Sequence, residues 1–202
     1  MSKDEIETAL ASSYSELVKH LLKKYGPAPC DYFKDESCKY VDRRISRSNE
    51  GLQCHHIDED KAIMLSDTRW ATKNPFKYQK ADRLVYCNVL EHLILHIKIM
   101  DQPRKKDANP LEAVGVGGAI NYIIPQTNDF YNGYEFKRDY LKKLYEPVAD
   151  NFDEYIDILK ELLSVAQFNI MYERFVSVDK ISRGSDGKIV DKIYDRLKGT
   201  MI

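Results

Sequence analysis

Apolar residues at Ile6, Leu10, Tyr14, Leu17, Leu21 and Tyr25 recur every three or four positions, the period of one helix face. Ser2 and Glu5 stand three apart at the head of the series, as in a capping box, and Gly26-Pro27 closes it. The spacing predicts a helix over 2–25. Residues 28–38 read as a loop. Alternation over 39–47 predicts a strand, Ser48-Asn49-Glu50-Gly51 a turn and 52–57 a second strand, together a β-hairpin. The stretch 58–82 is polar and mixed, with a short helix from about Ser66. After the brief apolar run Leu84-Val85-Tyr86, Asn88 and Glu91 repeat the capping-box spacing. The helix they open carries Leu90, Leu93, Ile94, Ile97 and Met100. It is apolar on nearly every side, which places it inside the protein.

Beyond Pro110 the pattern is mostly helical. Phe152, Tyr155, Ile156, Leu159 and Leu162 form one face of a helix over 151–163. The tail from Ser182 contains Gly184 and Gly187 and predicts a last short helix near 189–198. No repeat, low-complexity segment or domain boundary interrupts the chain. The expected fold is α+β and mostly helical, in a single domain, 1–202. Residues 1–38 supply a helix and loop, 39–100 a core, and 101–202 a helical region to which the pattern gives no role.

Composition changes this picture little. With 43% hydrophobic and 31% charged residues, the 202-residue chain can build a real core. No apolar stretch approaches the ~18–20 residues of a membrane span. The acidic start Met1-Ser2-Lys3-Asp4-Glu5 is unlike a secretory signal. A cytoplasmic protein with no membrane partner is expected. Lys and Arg number 31 against 32 Asp and Glu, a net charge of −1, which argues against a polycation that coats nucleic acid but not against a local basic patch. Cys30, Cys38, Cys54 and Cys87 form no C-x-x-C pair. Free thiols are expected, with a second, four-cysteine metal site as the alternative.

The histidines change it most. Four of the five fall in two clusters, His55-His56 in the second predicted strand and His92 with His96 on the buried helix. Positions i and i+4 share a helix face, so both imidazoles can aim at one point. With one hairpin histidine they would make three ligands for a divalent ion and leave positions open for water or substrate. Adjacent strand residues face opposite ways. One of the pair can therefore bind metal while the other stays free as a general base. A zincin protease needs Glu directly after the first helix histidine, and here Leu93 stands there.

Cys54-His55-His56-Ile57, Asp82-Arg83-Leu84-Val85-Tyr86 and Glu91-His92-Leu93-Ile94-Leu95-His96 together resemble the HNH, or His-Me finger, endonucleases. The likeness is closest to the H-x-x-x-H branch of colicin-type and phage nucleases and covers roughly residues 39–100. It implies a ββα-metal core, a β-hairpin and a helix gripping one divalent ion (Mg, Mn, Zn or Ni), embedded in a helical scaffold. It implies hydrolysis of DNA phosphodiesters to 5′-phosphate and 3′-hydroxyl ends, with RNA left open as a substrate. Residue by residue, His55, His92 and His96 fall on the metal ligands and His56 on the general base that activates water. The family's central asparagine falls on Arg83, a departure. Asp82, Asn74 or Asn88 would then orient the base; Asn88 and Glu91 otherwise read as a helix cap, with Glu91 as a partner for a histidine the alternative.

Between the clusters lie Arg69, Lys73, Lys77, Lys80 and Arg83, interleaved with Trp70, Phe76 and Tyr78. Arg43 and Arg44 add charge upstream. Basic side chains contact phosphates and aromatic rings stack on bases; the other reading of this stretch is a solvated face. Arg69, Lys73, Lys77 and Lys80 are expected to rim a polar cavity on which the metal histidines converge. Gly115-Val116-Gly117-Gly118 lacks the spacing of a dinucleotide loop and reads as a place of tight backbone packing. The alternative function is a nucleic-acid-binding module with a structural metal and no cleavage.

Overall fold

A computed structural model describes residues 1–102, 115–165 and 188–197. Two helices, not one, open the chain: α1 (Lys3–Ala11) and α2 (Tyr14–Tyr25). Ser2 and Glu5 form the expected capping box, but Ser13 and Glu16 form a second. Ser12 turns extended at the end of α1 and Ser13 caps α2, so the helix predicted over 2–25 breaks at this serine pair.

The predicted hairpin is also corrected. Segment 39–47 forms no strand. Asp42 accepts a hydrogen bond from the Arg44 amide at 3.0 Å and starts a 3-10 turn, Arg43–Ile45. A second such turn, Ser48–Glu50, follows. The true partner of β1 (Gln53–His56) is β2 (Leu84–Cys87), antiparallel, with Gln53 opposite Cys87, Cys54 opposite Tyr86, His55 opposite Val85 and His56 opposite Leu84. All four β2 residues are buried. An apolar strand that fills two faces of a core outcompetes the charged 39–47 segment for the ladder. Between the strands lies the short helix α3 (Thr68–Ala71), capped by Asp67.

Directly after β2, Asn88 and Glu91 form the expected box and start α4 (Val89–Met100), of which ten residues are buried. α1, α2 and α8 (Phe152–Ser164) all pack against α4, and α1 also meets α8. Ile6, Leu17, Leu21, Leu93, Ile94, Ile97, Tyr155, Ile156, Leu159 and Leu162 thereby share one core. The helix predicted over 151–163 is thus found in place, and residues beyond 101 are part of the packing around α4. The remaining elements are α5 (Val116–Gly118), a π-helical turn (Ala119–Ile123), α6 (Ile124–Tyr131), α7 (Asp139–Tyr145) and α9 (Lys188–Leu197), the last close to the expected 189–198. Ser182, Gly184 and Gly187 lie outside the described residues. The described chain is mostly helical with one small antiparallel sheet, an α+β architecture. No described helix is long and apolar enough to cross a membrane.

Candidate metal centre

Strand alternation separates the two adjacent histidines. Val85, opposite His55, belongs to the core around α4, whereas Leu84, opposite His56, belongs to a smaller cluster with Ala28, Ile45, Leu52 and Tyr86. Residues paired across a ladder share a face. His55 therefore looks toward α4, and its ring lies 5.1 Å from that of His92 and 5.4 Å from that of His96, centroid to centroid. His56 looks the other way and packs on the Tyr32 ring at 4.5 Å.

One helical turn apart on α4, His92 and His96 bring their Nε2 atoms to 3.2 Å. Ligands at ~2.0–2.1 Å from a tetrahedral ion stand roughly 3.3 Å from one another, so this spacing suits two nitrogens sharing a metal. The 3-10 turn Ile57–Asp60 folds back after β1 and adds a carboxylate that sequence reasoning missed. Glu59 Oε2 lies 3.6 Å from His55 Nδ1 and 3.7 Å from His96 Nε2. Donor atoms of His55, Glu59, His92 and His96 all fall within 4.8 Å of one another. Closing them onto one ion takes shifts on the order of 1 Å.

Hydrogen bonds from three separate elements free the donor nitrogens. Tyr14 on α2 donates its only hydroxyl proton to the Ile57 carbonyl at 2.8 Å, so at 3.0 Å its oxygen must accept from His55 Nε2–H. The lone pair of His55 is thereby left on Nδ1, which is buried and has no hydrogen-bond partner among the described residues. Gln53 Oε1 accepts from His92 Nδ1–H at 2.7 Å and leaves the His92 lone pair on Nε2, facing His96. Gln79 donates its amide to the Leu65 carbonyl at 3.1 Å, so its Oε1, 2.8 Å from His56 Nε2, accepts there. The lone pair of His56 is left on Nδ1, 3.8 Å from Glu59 Oε1 and also without a hydrogen bond. Such partners fix tautomer and ring orientation at metal sites.

Burial governs the charges. It pushes Glu59 up from 4.5 to about 8. It lowers His56 and His96 from 6.5 to about 4, the Gln79 hydrogen bond opposing it at His56 and the Gly115 backbone at His96. His55 and His92 fall well below 6.5, by burial first and by the neighbouring imidazoles second. Neutral imidazoles are the form a metal binds. A pH dependence follows for the metal-free protein. From about 4 to 6.5 its melting temperature should rise, because unfolded histidines bind protons that the folded ones refuse. From 6.5 to about 8 it should fall gently, because folded Glu59 keeps a proton that the unfolded carboxyl has lost. Thermal unfolding across this range should show an optimum near neutrality, and Glu59→Gln should flatten the upper limb.

Beside the cluster opens a cavity of about 590 Å³. Gln53, Cys54, Glu59, His92 and His96 form one wall, and Gly115–Gly118 with Asn121, Tyr122 and Gln126 another. His55 and His56 are not on its surface. Nor are Arg69, Lys73, Lys77 and Lys80, so these four do not form the expected basic rim, and among the described residues the cavity's charged groups apart from histidine are Glu59 and Asp67. Arg69 is paired with Asp67 at 2.9 Å and Lys80 with Asp31 at 2.9 Å. Arg44 is paired with Asp42 at 2.7 Å. Arg43, Lys73 and Lys77 are exposed and in no ion pair among the described residues.

The other candidates have structural partners. Arg83 forks onto buried Asp58, Nε to Oδ2 at 2.6 Å and a terminal nitrogen to Oδ1 at 2.7 Å, and so ties the turn after β1 to the start of β2. Burial drives the Asp58 pKa upward, but Arg83 and Lys61 outweigh it and hold the group below 3.8. Asn88 caps α4. Glu91 takes Lys24, Tyr25 and the Asn88 amide rather than a histidine. Asn74 donates to the Trp70 carbonyl, and Asp82 sits in the 3-10 turn before β2. All four cysteines are free, and the metal-capable cluster found among the described residues contains none of them.

Comparison with protein-family models, with curated proteins and with solved structures gives no match for this chain.

Proposed function

We propose that the protein is a metal-dependent endonuclease of the HNH type, with β1, β2 and α4 as a ββα-metal core, hydrolysing phosphodiester bonds in DNA. One observation carries this reading. Three imidazoles, from a strand and from the helix after the sheet, converge with a carboxylate beside a cavity, their free lone pairs assigned by hydrogen bonds at His55 and His92. Glu59, half-buried with no lysine or arginine on it among the described residues, and the orphaned Nδ1 of His55 fit a cation held by His55, Glu59, His92 and His96. Bound there, a divalent ion supplies Lewis acidity toward a phosphoryl oxygen and water. Imidazole-rich donors suit zinc or nickel; the carboxylate also admits manganese or magnesium.

His56 is the proton acceptor in this scheme. Gln79 holds its Nε2–H; the proton of the water whose oxygen attacks phosphorus goes to the Glu59 carboxylate and from it to His56 Nδ1, while the 3′-oxygen leaves and is protonated from solvent. Glu59 lines the cavity and reaches toward His56 Nδ1, so the proton path to the buried ring runs past its carboxylate. Exposed Arg43, Lys73 and Lys77 are the candidates for phosphate contacts.

The binding-module reading has its own support: no lysine or arginine among the described residues lines the cavity. Plasmid and labelled RNA, incubated with protein that has been stripped by a chelator and then resupplied with Mg, Mn, Zn or Ni, separate the two. Metal-restored nicking is expected, and His92→Ala should bind less metal and nick less. Metal uptake with no cleavage of either nucleic acid would leave the binding module.

A further inference from the structure

The stretch Gly115-Val116-Gly117-Gly118 has no part in the scheme above, yet it lies on the cavity wall facing the histidines. Its glycines differ in what they are for. Gly115 has φ +88, which L side chains rarely adopt, and a Cβ there would also come within 3.0 Å of the His96 carbonyl. Gly117 faces open space; a Cβ would meet only the Asn121 amide nitrogen, at 3.8 Å. Gly118 is the informative one. Its φ of −63 and ψ of −48 are ordinary helical values that any residue adopts, and glycine is among the poorest helix formers. The backbone therefore gives no reason for glycine at 118. Space does. A Cβ at 118 would fall under 3.0 Å from both Cε1 and Nε2 of His96, closer than real Cβ atoms approach, and 3.1 Å from Nδ1, so the ring would have to move.

We propose that Gly118 is a positioning residue for the metal centre: its bare Cα lets the α5 segment close on the His96 imidazole and aim Nε2 at His92 and Glu59. This rests on the metal-centre reading above. The packing works from both sides. The Gln53–His92 hydrogen bond sets one ring of the pair, and His96 meets that ring through Nε2 at 3.2 Å, while its Nδ1 is buried without a hydrogen bond among the described residues. Contact with the Gly118 backbone holds the His96 ring in the plane that keeps Nε2 on this line. A π-helical turn begins immediately after Gly118, a distortion that often accompanies functional sites. In this protein the distortion follows the residue pressed against the ring.

The test has two arms. In the first, cobalt(II) is titrated into the metal-free full chain, and its visible absorption and a chelator competition report coordination and affinity. Gly118→Ala should weaken cobalt binding by about tenfold or more, the scale seen when a ligand's support is lost, and should alter the absorption spectrum. Gly117→Ala, with the same added methyl group and no ring to strike, should stay within about twofold of wild type. In the second arm, thermal unfolding of the metal-free protein is measured for Gly118→Ala, His96→Ala and the double variant. Gly118→Ala should lower the melting temperature in the wild-type background and leave it unchanged or higher in the His96→Ala background, because the added methyl then occupies the space the ring vacated.

Wild-type-like cobalt binding by Gly118→Ala would overturn the proposal, as would an equal loss of stability in both backgrounds. Failure of the wild-type protein to bind cobalt would be a different result. It would remove the metal-centre reading and this role with it, while the thermal cycle would still decide whether the glycine–imidazole contact exists.

Discussion

Alanine at position 56 is expected to lower the single-turnover rate of DNA cleavage by roughly 10²–10⁴-fold, the usual contribution of a general base, with metal content unchanged. The reason lies in the sheet. His55 and His56 are neighbours on β1, but the ladder turns one toward α4 and the other toward Tyr32 and Gln79. Only His55 shares the ligand cluster with His92 and His96. Removing the His56 ring therefore takes away a proton acceptor without removing a ligand. Metal analysis of the purified variant, beside cleavage of labelled duplex, checks both halves. Loss of metal would make His56 a ligand, and undiminished cleavage would leave the chemistry without this base.

Glu91→Ala should cost the fold roughly 3–5 kcal/mol, the range for breaking a buried ion pair. Glu91 is 1% exposed and joins the end of α2 to the start of α4 through three hydrogen bonds. Its carboxylate accepts from Lys24 Nζ at 2.9 Å, from the Tyr25 hydroxyl at 2.9 Å and from the Asn88 amide at 2.8 Å. Alanine leaves the Asn88 amide without its acceptor and frees the end of α2 from the start of α4. Lys24 keeps Glu5 at 2.8 Å, which favours the lower end of the range. For a chain of this size that means a fall in melting temperature of roughly 6–15 °C, measurable by circular dichroism. Glu91→Gln should lose less, since its amide oxygen can still accept from Asn88. A melting temperature within about 1 °C of wild type for the alanine variant would show that the clasp carries no net stability.

Both results depend on features that the sequence displayed unequally. The Asn88–Glu91 box and the apolar length of α4 are local signals, and local signals translate directly into a helix. The same local signal was overlooked at Ser13–Glu16, where it ends one helix and begins another. Strand pairing is not local. Residues 39–47 alternate well enough for a strand, but their charges leave nothing to bury, while Leu84–Cys87 fills both faces of the sheet. The histidine spacing pointed to the right cluster because i and i+4 on a helix are neighbours in any fold. Glu59 was missed because its carboxylate reaches the cluster only through a 3-10 turn after β1. Tyr14, Gln53 and Gln79 were missed for a related reason: each meets its histidine through tertiary packing, with no motif of its own. A tyrosine at a helical core spacing on α2 reads as filler until His55 is found against its hydroxyl.

That hydroxyl extends the metal centre into the N-terminal helices. Tyr14 sits at the first turn of α2 and sets the tautomer that leaves His55 able to coordinate. A chain whose first helices have come undocked presents His55 without that bias, so in the metal-centre reading an ion would bind the docked form better. By linkage, ligand at a hundred times its dissociation constant deepens the native well by about 2.7 kcal/mol. Part of that gain falls on α1 and α2, which contribute no ligand to the cluster. If the cluster binds an ion as proposed, hydrogen exchange of the α1 and α2 amides, remote in sequence from His92 and His96, should slow when metal is added.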